Sequence, residues 1–408
     1  MMNILFISSL FPNSLQLNRG VYSLQIVREM ARFANVRVVA PFPTLGMFSF
    51  IDSIKKYRTN LPIPDIETID SLTIYHPRYF AVPKMGFLHP NTLYTTLKPL
   101  IRQIHAEWAI DAVNSHWLFP DGVAVQRICA TLGIPVMLTP LGTDLNSYLG
   151  FRFRRGQIRD SLIGADRVSL LNREMFRICE GLGVSPSRMV IIPNGVDTRK
   201  FNILDRSQCR KDVGLADDRK IILFVGNLVP VKSVDTLFKA FAANSGALTA
   251  SAKLVIVGSG YLEMELKNLA ASLKVSDYVT FIGTVKHESL PVWMNAADCL
   301  CLPSLSEGHP NVMMESLACG TPVVASSVGS VPDFIDSDTG FTIRPLDVED
   351  LAAKLLACIN TNYDRRGVRS RVAKYTWENC GNRYVEEITK ILPIGSFDKS
   401  KMDVEIAL

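Results

Sequence analysis

Short apolar runs alternate with longer amphipathic stretches along nearly the whole chain. The apolar runs are rich in β-branched residues and end at glycine, proline or small polar residues, a pattern that predicts buried strands. The longer stretches carry apolar residues at helical spacing. Regular alternation of strands and helices is typical of α/β proteins with parallel sheets, so we expect that fold class.

The alternation occurs in both halves of the chain. In the first half it predicts strands at residues 3–8, 36–40, 112–114, 135–139, 168–171 and 189–192, and helices at 21–33, 123–132 and 173–181. In the second half it predicts strands at 220–225, 253–257, 278–282, 299–302 and 323–325, and helices at 233–243, 262–273, 290–296 and 311–319. A segment rich in proline and aromatic residues, from residue 44 to about 90, predicts a long irregular insertion.

The length of the chain favours two domains. At 408 residues it is long for a single hydrophobic core. A turn sequence at residues 193–197, with Asn-Gly at its centre, marks the boundary. We predict domains at residues 1–200 and 201–372, then an amphipathic helix within 373–392 and an unstructured tail.

The composition is that of a folded globular protein, with 48% hydrophobic and 20% charged residues. No apolar run reaches the roughly 18 residues of a membrane-spanning helix. The apolar residues 3–10 are too few, and lack the basic flank, for a signal peptide, so they predict a first strand. The eight cysteines lack metal-ligand spacing, which favours buried free thiols in a reducing cytosol.

Charge is distributed unevenly. Residues 1–200 hold 22 Lys and Arg against 14 Asp and Glu, whereas the remainder holds 22 against 25. A basic first half suggests an anionic partner there. Its densest cluster has arginines at 152, 154, 155 and 159, interleaved with Phe151 and Phe153. Two interpretations stay open for this cluster, namely contact with an anionic membrane surface and a solvated helix face.

Two carboxylates stand eight residues apart in the string Ser-Glu-Gly-His-Pro-Asn-Val-Met-Met-Glu at 306–315. Glu307 follows a predicted strand, and Glu315 lies about one turn inside the next predicted helix. The N–H groups of the intervening loop lie at the positive end of that helix, which suits a phosphate. The candidate donor-binding residues between the two carboxylates are Gly308, His309, Asn311 and Val312. Two carboxylates for hydroxyls around a phosphate site predict that a nucleotide sugar binds here.

The same string resembles the E-x7-E element of the retaining glycosyltransferases of family 4. The resemblance implies the GT-B fold, in which two Rossmann-like parallel-sheet domains face an interdomain cleft. The first domain would bind the acceptor, the second would bind the nucleotide sugar, and the C-terminal helix at 373–392 would cross back to the first domain. The resemblance also implies roles for both carboxylates. Glu307 would contact hydroxyls of the donor sugar, and Glu315 would hold the ribose of the nucleotide.

A second element, at residues 226–233, follows a predicted strand and leads into the predicted helix at 233–243. Lys232 stands beside the helix N-terminus, where a cation is unfavourable unless an anion compensates it, which favours a diphosphate ligand. The element resembles the family's glycine–basic–Lys motif, with Asn227 where the family usually has Arg. Diphosphate binding would then depend more on Lys232 and on backbone N–H groups.

Gly258 and Gly260 form only part of a dinucleotide-binding fingerprint, because Glu263 replaces its third glycine.

The resemblance assigns site roles to three further residues, all in the first half of the chain. Gly20 begins the first helix and resembles the small-residue donor loop, where its lack of a side chain would let a phosphate or sugar approach. His116 follows a predicted strand and resembles the active-site histidine that contacts the donor sugar. Asp144 lies in a loop where relatives often carry a polar or basic residue before the glycine, and Leu141 departs from that pattern here. The role of Asp144 is therefore either acceptor contact or undefined.

The resemblance implies an enzyme that moves a sugar from a UDP- or GDP-sugar to a polysaccharide or lipid-linked acceptor with retention of configuration. It implies no metal and no other cofactor. We expect a cytoplasmic protein, peripheral at the inner face of the cell membrane, with no nucleic-acid partner. Two alternatives stay open, a sugar-nucleotide epimerase of the same fold and a non-catalytic sugar-nucleotide sensor. A Rossmann dehydrogenase is disfavoured by the missing third glycine.

Overall fold

The computed structural model describes residues 1–17, 19–44, 62–81, 85–215, 219–243 and 246–393. The chain forms two compact units, the first comprising Met1–Pro193 with the residues from Trp377 onward, and the second comprising Asn194–Thr376. The sequence places these divisions near residues 200 and 372. The predicted tail after Pro393 lies outside the described residues.

The described part of the first unit contains an eight-stranded sheet of order β10-β9-β8-β7-β1-β2-β5-β4, and β3 pairs separately with β6. Its strands are β1 (Asn3–Ile7), β2 (Asn35–Val39), β3 (Phe42–Thr44), β4 (Ile66–Ile69), β5 (Leu72–Tyr75), β6 (Arg78–Phe80), β7 (Ala112–His116), β8 (Val136–Thr139), β9 (Arg167–Leu170) and β10 (Met189–Ile191). Its helices up to residue 193 are α1 (Val21–Met30), α2 (His89–Trp108), α3 (Val123–Leu132), α4 (Thr143–Asn146), α5 (Arg152–Gly164) and α6 (Arg173–Gly181).

The inner strands of this sheet are buried on both faces, as helices on each side of a parallel sheet require. The strand order reverses direction between β1 and β7, which are hydrogen-bonded neighbours. Loops that follow the carboxyl ends of such strands form the usual ligand crevice of open α/β sheets. The loop after β1 contains Gly20 and β7 ends at His116, so the fold brings two predicted site residues to one edge.

The segment predicted as irregular is partly regular. An antiparallel pairing of β4 with β5 adds a hairpin to the edge of the otherwise parallel sheet. Residues 45–61 and 82–84 of this segment lie outside the described residues. The prediction failed for residues 66–75 because a short, half-exposed hairpin lacks the long apolar runs of the inner strands.

The described residues of the second unit form a six-stranded sheet with parallel pairing throughout, of order β13-β12-β11-β14-β15-β16. Its strands are β11 (Lys220–Val225), β12 (Ala252–Val257), β13 (Val279–Gly283), β14 (Cys299–Leu302), β15 (Val323–Ser326) and β16 (Gly340–Ile343). Its helices are α7 (Arg206–Asp212), α8 (Val234–Ala242), α9 (Ala247–Ser251), α10 (Glu263–Ser272), α11 (Leu290–Ala296), α12 (Asn311–Ala318), α13 (Val331–Phe334), α14 (Val348–Asn360) and α15 (Arg365–Ser370). This strand order is that of a Rossmann fold, with its reversal between β11 and β14.

The final helix, α16 (Trp377–Thr389), packs on the first unit. Tyr384 is fully buried in the apolar cluster that also contains Phe6 and Val27. Glu387 forms an ion pair with Arg167 of β9. The helix therefore belongs to the core of the first unit, although it follows the second unit in the chain.

The predictions outside the site have mixed outcomes. All eight cysteines are free and buried, as expected. Helices α2 and α14 and strand β16 were not predicted from the sequence pattern. Across the described parts of the chain, no helix combines the length and apolarity needed to cross a membrane.

Candidate functional site

Two loops meet where the strand order of the second unit reverses. The loop after β11 ends in a single 3₁₀ turn at Pro230–Lys232, and the loop after β14 contains Glu307. The Nζ atom of Lys232 donates a hydrogen bond to Oε1 of Glu307 at 2.6 Å. The side chain of Glu307 is only 11% exposed and that of Lys232 is 25% exposed. The structure therefore brings together two predicted site residues that are 75 positions apart.

Backbone contacts hold the Glu307 loop from two sides. The N–H of Leu305 donates to the carbonyl of Val231 at 2.8 Å, and the N–H of Ser330 donates to the carbonyl of Gly308 at 3.1 Å. Gly329 has a φ of 59°, and a Cβ atom there would lie 2.4 Å from the carbonyl oxygen of Glu307. Only glycine fits this approach, so the glycine turn supports the loop that carries the carboxylate.

Helix α12 begins at Asn311, directly after the Glu307 loop. The N–H groups of Asn311 and Val312, at the start of its first turn, have no acceptor within the helix and suit an anion, whereas the N–H of Met313 donates to the carbonyl of Pro310 at 3.0 Å. Asn194 donates from Nδ2 to Oδ1 of Asn311 at 3.1 Å and so fixes that side chain. His309 is buried edge-on against Phe334, with 5.4 Å between ring centroids. Burial lowers the pKa of His309 to about 4, so this ring supplies no positive charge near neutral pH.

Glu315 lies one turn into α12 and is buried. Its Oε1 atom is 2.7 Å from Nε2 of His287, a residue on the 3₁₀ turn His287–Ser289 after β13. The Nδ1 atom of His287 lies 2.8 Å from Nζ of Lys200. The sequence predicts Glu315 as a site residue but gives no indication of His287 or Lys200, because their contacts join separate parts of the chain.

The glycine turns after β11 and β12 pack against each other. A Cβ atom on Gly258 would lie 1.9 Å from the carbonyl oxygen of Gly226, and one on Gly260 would lie 2.3 Å from that of Leu228. These glycines are therefore required by close chain packing, as the family resemblance implies, and not by a dinucleotide. Asn227 belongs to the turn after β11, between Gly226 and Leu228, and is exposed.

In the first unit, Gly20 caps the start of α1 with a φ of 62°. The atom nearest to a Cβ at this position would be the carbonyl oxygen of Leu10, at 2.0 Å. The neighbouring Arg19 donates from Nε to the carbonyl of Ser9 at 3.1 Å. Glycine is thus required here by the approach of two backbone segments of the chain itself, whatever ligand binds nearby.

His116 ends β7 and has no exposed surface. Its ring lies between Phe6, at 4.5 Å, and Tyr384, at 5.3 Å between centroids. Burial lowers its pKa to about 3, so the imidazole is neutral near neutral pH. The predicted contact with a donor sugar would need this side chain to be reachable, and in this structure it is enclosed by the core and by α16.

Two buried carboxylates, those of Asp144 and Asp121, accept hydrogen bonds that connect the loops near His116. Asp144 accepts N–H bonds from Leu118 at 2.7 Å and from Gly142 at 2.8 Å, which joins two loops together. Asp121 accepts an N–H bond from Ser9 at 2.5 Å and joins the loop after β7 to that after β1. Burial raises the pKa of Asp121 to about 7. Asp121 was not predicted as a site residue, although it stands five residues after the predicted histidine.

The arginine cluster of the first unit divides in two. Arg152, Arg155 and Arg159 are exposed, whereas Arg154 lies over the rings of Tyr148, at 4.8 Å, and Phe119, at 5.4 Å. Phe153 is 75% exposed and lies 5.9 Å from Phe87, which is itself 39% exposed. The four arginines are therefore not equivalent, and three of them remain at the surface.

Comparison with known proteins covers both units. The family described as Glycosyl transferases group 1 matches residues 205–376, and the family described as Glycosyltransferase Family 4 matches residues 20–200. TuaC of Bacillus subtilis (strain 168), whose name is putative teichuronic acid biosynthesis glycosyltransferase, is 28% identical over 358 residues, which are 86% of this chain and 87% of TuaC. The D-inositol 3-phosphate glycosyltransferase of Actinosynnema mirum is 36% identical over 179 residues, 42% of this chain and 43% of that protein.

Solved structures match over nearly the whole length. Sucrose-phosphate synthase from Thermosynechococcus elongatus superimposes with a TM-score of 0.75 at 21% identity, covering 96% of this chain and 99% of that one. HepE of Anabaena, solved in complex with UDP, superimposes with a TM-score of 0.71 at 18% identity, covering 96% of this chain and 100% of that one. At these identities the likeness shows the fold alone, which is the GT-B fold.

Proposed function

We propose a specific reaction for this chain, which belongs to glycosyltransferase family 4 and is a glycosyltransferase. It transfers a sugar from a nucleoside diphosphate sugar to a hydroxyl group of a glycan or lipid-linked acceptor, with retention of anomeric configuration. The ion pair of Lys232 with Glu307, at 2.6 Å, carries this proposal. It joins a cation suited to a diphosphate and a carboxylate suited to sugar hydroxyls at one strand-end crevice.

Each residue has a distinct task in the proposed reaction. The bond between the anomeric carbon and the β-phosphate oxygen breaks, and the diphosphate leaves with the electron pair. The acceptor oxygen bonds to the same face of the anomeric carbon, and its proton passes to the leaving phosphate. Lys232 and the N–H groups of Asn311 and Val312 at the start of α12 stabilise the charge on that phosphate. Glu307 orients the sugar hydroxyls, and Glu315 holds the ribose.

UDP- or GDP-sugars are the proposed donors. HepE, which shares the fold, has been solved with UDP-glucose. A relative from Corynebacterium glutamicum is named as a GDP-mannose-dependent mannosyltransferase. A thermal-shift screen across nucleotide sugars tests this directly, because a ligand at about 100 times its Kd adds about 2.7 kcal/mol of stability. If none of the UDP- and GDP-sugars in the screen raises the melting temperature, the proposal is contradicted.

The reaction is proposed to need no metal ion, because Lys232 and the N-terminus of α12 supply the positive charge that the diphosphate requires. EDTA should leave the transfer rate unchanged.

Product analysis with and without acceptor separates transfer from epimerisation, since an epimerase converts the donor alone. A sensor would bind the donor and turn over nothing.

The first unit is proposed to bind the acceptor and to contact an anionic membrane. We define the aromatic–basic surface as Phe87, Phe151, Phe153, Arg152, Arg155 and Arg159. The three arginines recur at i, i+3 and i+7 on α5, so they share one helix face. Asp160 is the acidic neighbour on the same helix. Exposed aromatic rings beside a cationic stripe are typical of segments that lie at a bilayer interface.

Each exposed arginine contributes on the order of 1 kcal/mol near an anionic bilayer. Arg154 is left out of this surface because its guanidinium packs inward over the rings of Tyr148, at 4.8 Å, and the buried Phe119, at 5.4 Å. Changing Arg152, Arg155 and Arg159 to Gln should abolish sedimentation with phosphatidylglycerol vesicles at low salt. The matched control changes the exposed Arg102, Arg173 and Arg177 to Gln, which removes the same charge elsewhere. Equal loss in both triple variants would assign the effect to net charge alone.

The cytoplasm is the proposed location of the protein. The eight buried free thiols suit a reducing compartment, where disulfides rarely persist. Fractionation of producing cells, with the chain detected by antibody in each fraction, tests the location. Recovery of the protein outside the cytoplasmic membrane would contradict it.

A further inference from the structure

Three side chains of the second unit form a hydrogen-bonded series that ends at Glu315. Lys200 follows the turn at the start of this unit, His287 follows β13, and Glu315 lies on α12. The Nζ of Lys200 lies 2.8 Å from Nδ1 of His287, whose Nε2 lies 2.7 Å from Oε1 of Glu315. These contacts join residues separated by 87 and 28 positions. None of these contacts follows from helix or strand geometry, so the tertiary fold creates the series.

The chemistry of the three groups determines the direction of each bond. A lysine ammonium can only donate, so Nδ1 of His287 is the acceptor. A neutral imidazole that accepts at Nδ1 carries its proton on Nε2. That proton then points at the carboxylate of Glu315, which accepts. Lys200 therefore selects the tautomer of His287 that can hold Glu315.

The surroundings favour a defined geometry for His287. Its ring packs against Phe201, with 5.3 Å between ring centroids. The charged groups around it are Lys200, Glu315 and Glu288, and Oε1 of Glu288 lies 3.7 Å from Nζ of Lys200. The side chain of Glu315 is 8% exposed, and it lies within helix α12. One of its oxygens is occupied by His287, which leaves Oε2 for a ligand hydroxyl.

We propose that His287 is a positioning residue for ribose recognition. It binds one oxygen of Glu315 and orients the other toward a ribose hydroxyl of the donor nucleotide, and Lys200 fixes its tautomer. This inference rests on the proposed function, because it assumes that Glu315 holds the ribose. The ligand class is a ribonucleoside diphosphate, and the 2′- and 3′-deoxy analogues lack the hydroxyls that Glu315 would bind.

The test measures discrimination between ribose and deoxyribose by calorimetry. The probes are UDP and GDP with their 2′-deoxy and 3′-deoxy analogues. His287→Ala should lower the ratio of affinities for the ribonucleotide over the deoxynucleotide by about threefold to tenfold, as expected when one partly buried hydrogen bond is lost. Glu315→Ala should abolish the preference for the ribonucleotide, so that the ratio of affinities falls to about one. In the double variant, His287→Ala should have no additional effect, because both residues act through one carboxylate.

Two further variants separate positioning from a structural role. In His287→Gln, the amide can accept from Lys200 and donate to Glu315, so it should restore most of the discrimination. Ser289→Ala changes an exposed, uncharged neighbour on the same turn and should leave the discrimination unchanged. A general loss of folding would weaken ribo- and deoxyribonucleotides alike.

The outcomes distinguish the two levels of the hypothesis. If Glu315→Ala does not change ribose discrimination, the ribose role within the proposed function is wrong. If Glu315→Ala abolishes it while His287→Ala leaves it intact, the proposed function stands and the positioning role of His287 is overturned.

Discussion

The ammonium of Lys232 lies 2.6 Å from the carboxylate of Glu307. A cation beside the N-terminus of α8 would be unfavourable alone, and Glu307 compensates it. A bound diphosphate would offer Lys232 a second anionic partner and would free Glu307 to accept bonds from sugar hydroxyls. The pair therefore couples the two parts of the proposed donor site, since each residue stabilises the other until the ligand arrives.

Replacing Glu307 with Gln should reduce sugar transfer by at least about a hundredfold, as is usual when a group aimed at the transition state is removed. Binding of free UDP or GDP should be retained or strengthened, because Lys232 is no longer neutralised by a carboxylate. Steady-state kinetics and calorimetry provide the two measurements. A parallel loss of diphosphate affinity would show that Glu307 does not act on the sugar alone.

Replacing Lys232 with Ala should weaken binding of a nucleoside diphosphate by about tenfold to a hundredfold, the range for a lost charge-assisted hydrogen bond. Binding of the corresponding nucleoside should change little, because it has no phosphate. Lys239→Ala is the matched control, since Lys239 forms an exposed ion pair with Asp235 at 2.8 Å. Equal weakening of both ligands by Lys232→Ala would assign that lysine a structural role.

Replacing Gly381 with Ala should destabilise the packing of α16 on α1. A Cβ atom at this position would lie 2.4 Å from Cβ of Glu29 and 3.0 Å from the backbone nitrogen of Met30. We expect a loss of about 1–3 kcal/mol in the free energy of unfolding, measured by urea denaturation. Gly156→Ala is the control, because Gly156 lies within α5 and a Cβ atom there would point into open space. It should stabilise the helix by about 0.5–1 kcal/mol, and an equal response of the two variants would refute the packing argument.

Replacing Asp121 with Asn should change how stability depends on pH. Burial raises the pKa of Asp121 to about 7 from an ordinary value of 3.8. The folded protein thus keeps a proton that the unfolded chain loses between these values, so this group's contribution to stability falls as pH rises through that window. The slope for one group is at most about 1.4 kcal/mol per pH unit. The variant keeps an acceptor for the N–H of Ser9 and cannot ionise.

Urea denaturation of both proteins at pH 5 and pH 8 provides the test. The variant should gain stability relative to the native protein as the pH rises to 8. A stability difference that is the same at both pH values would mean that Asp121 is ionised at both.

The strands and the helix starts of the site were predictable to within a residue or two. The strand at 299–302 and the glycine that ends α12 agree with the structure, because continuous apolar runs and glycine at helix ends are local signals. The exposed hairpin of β4 and β5 was missed because its apolar residues are few. The sequence placed Arg154 in one cluster with three other arginines, yet Arg154 packs inward over the aromatic rings of residues 119 and 148.

The α/β class, the places of Glu307, Glu315 and Lys232 relative to strands and helices, and the family could be read from the sequence alone. These follow from periodicity and from residue types at short spacing. Which of these groups contact one another depends on the three-dimensional fold. The Lys232–Glu307 pair, the series from Lys200 through His287 to Glu315, and the enclosure of His116 all depend on the order of strands in a sheet. That order is set by the packing of distant segments, and local patterns along the chain do not encode it.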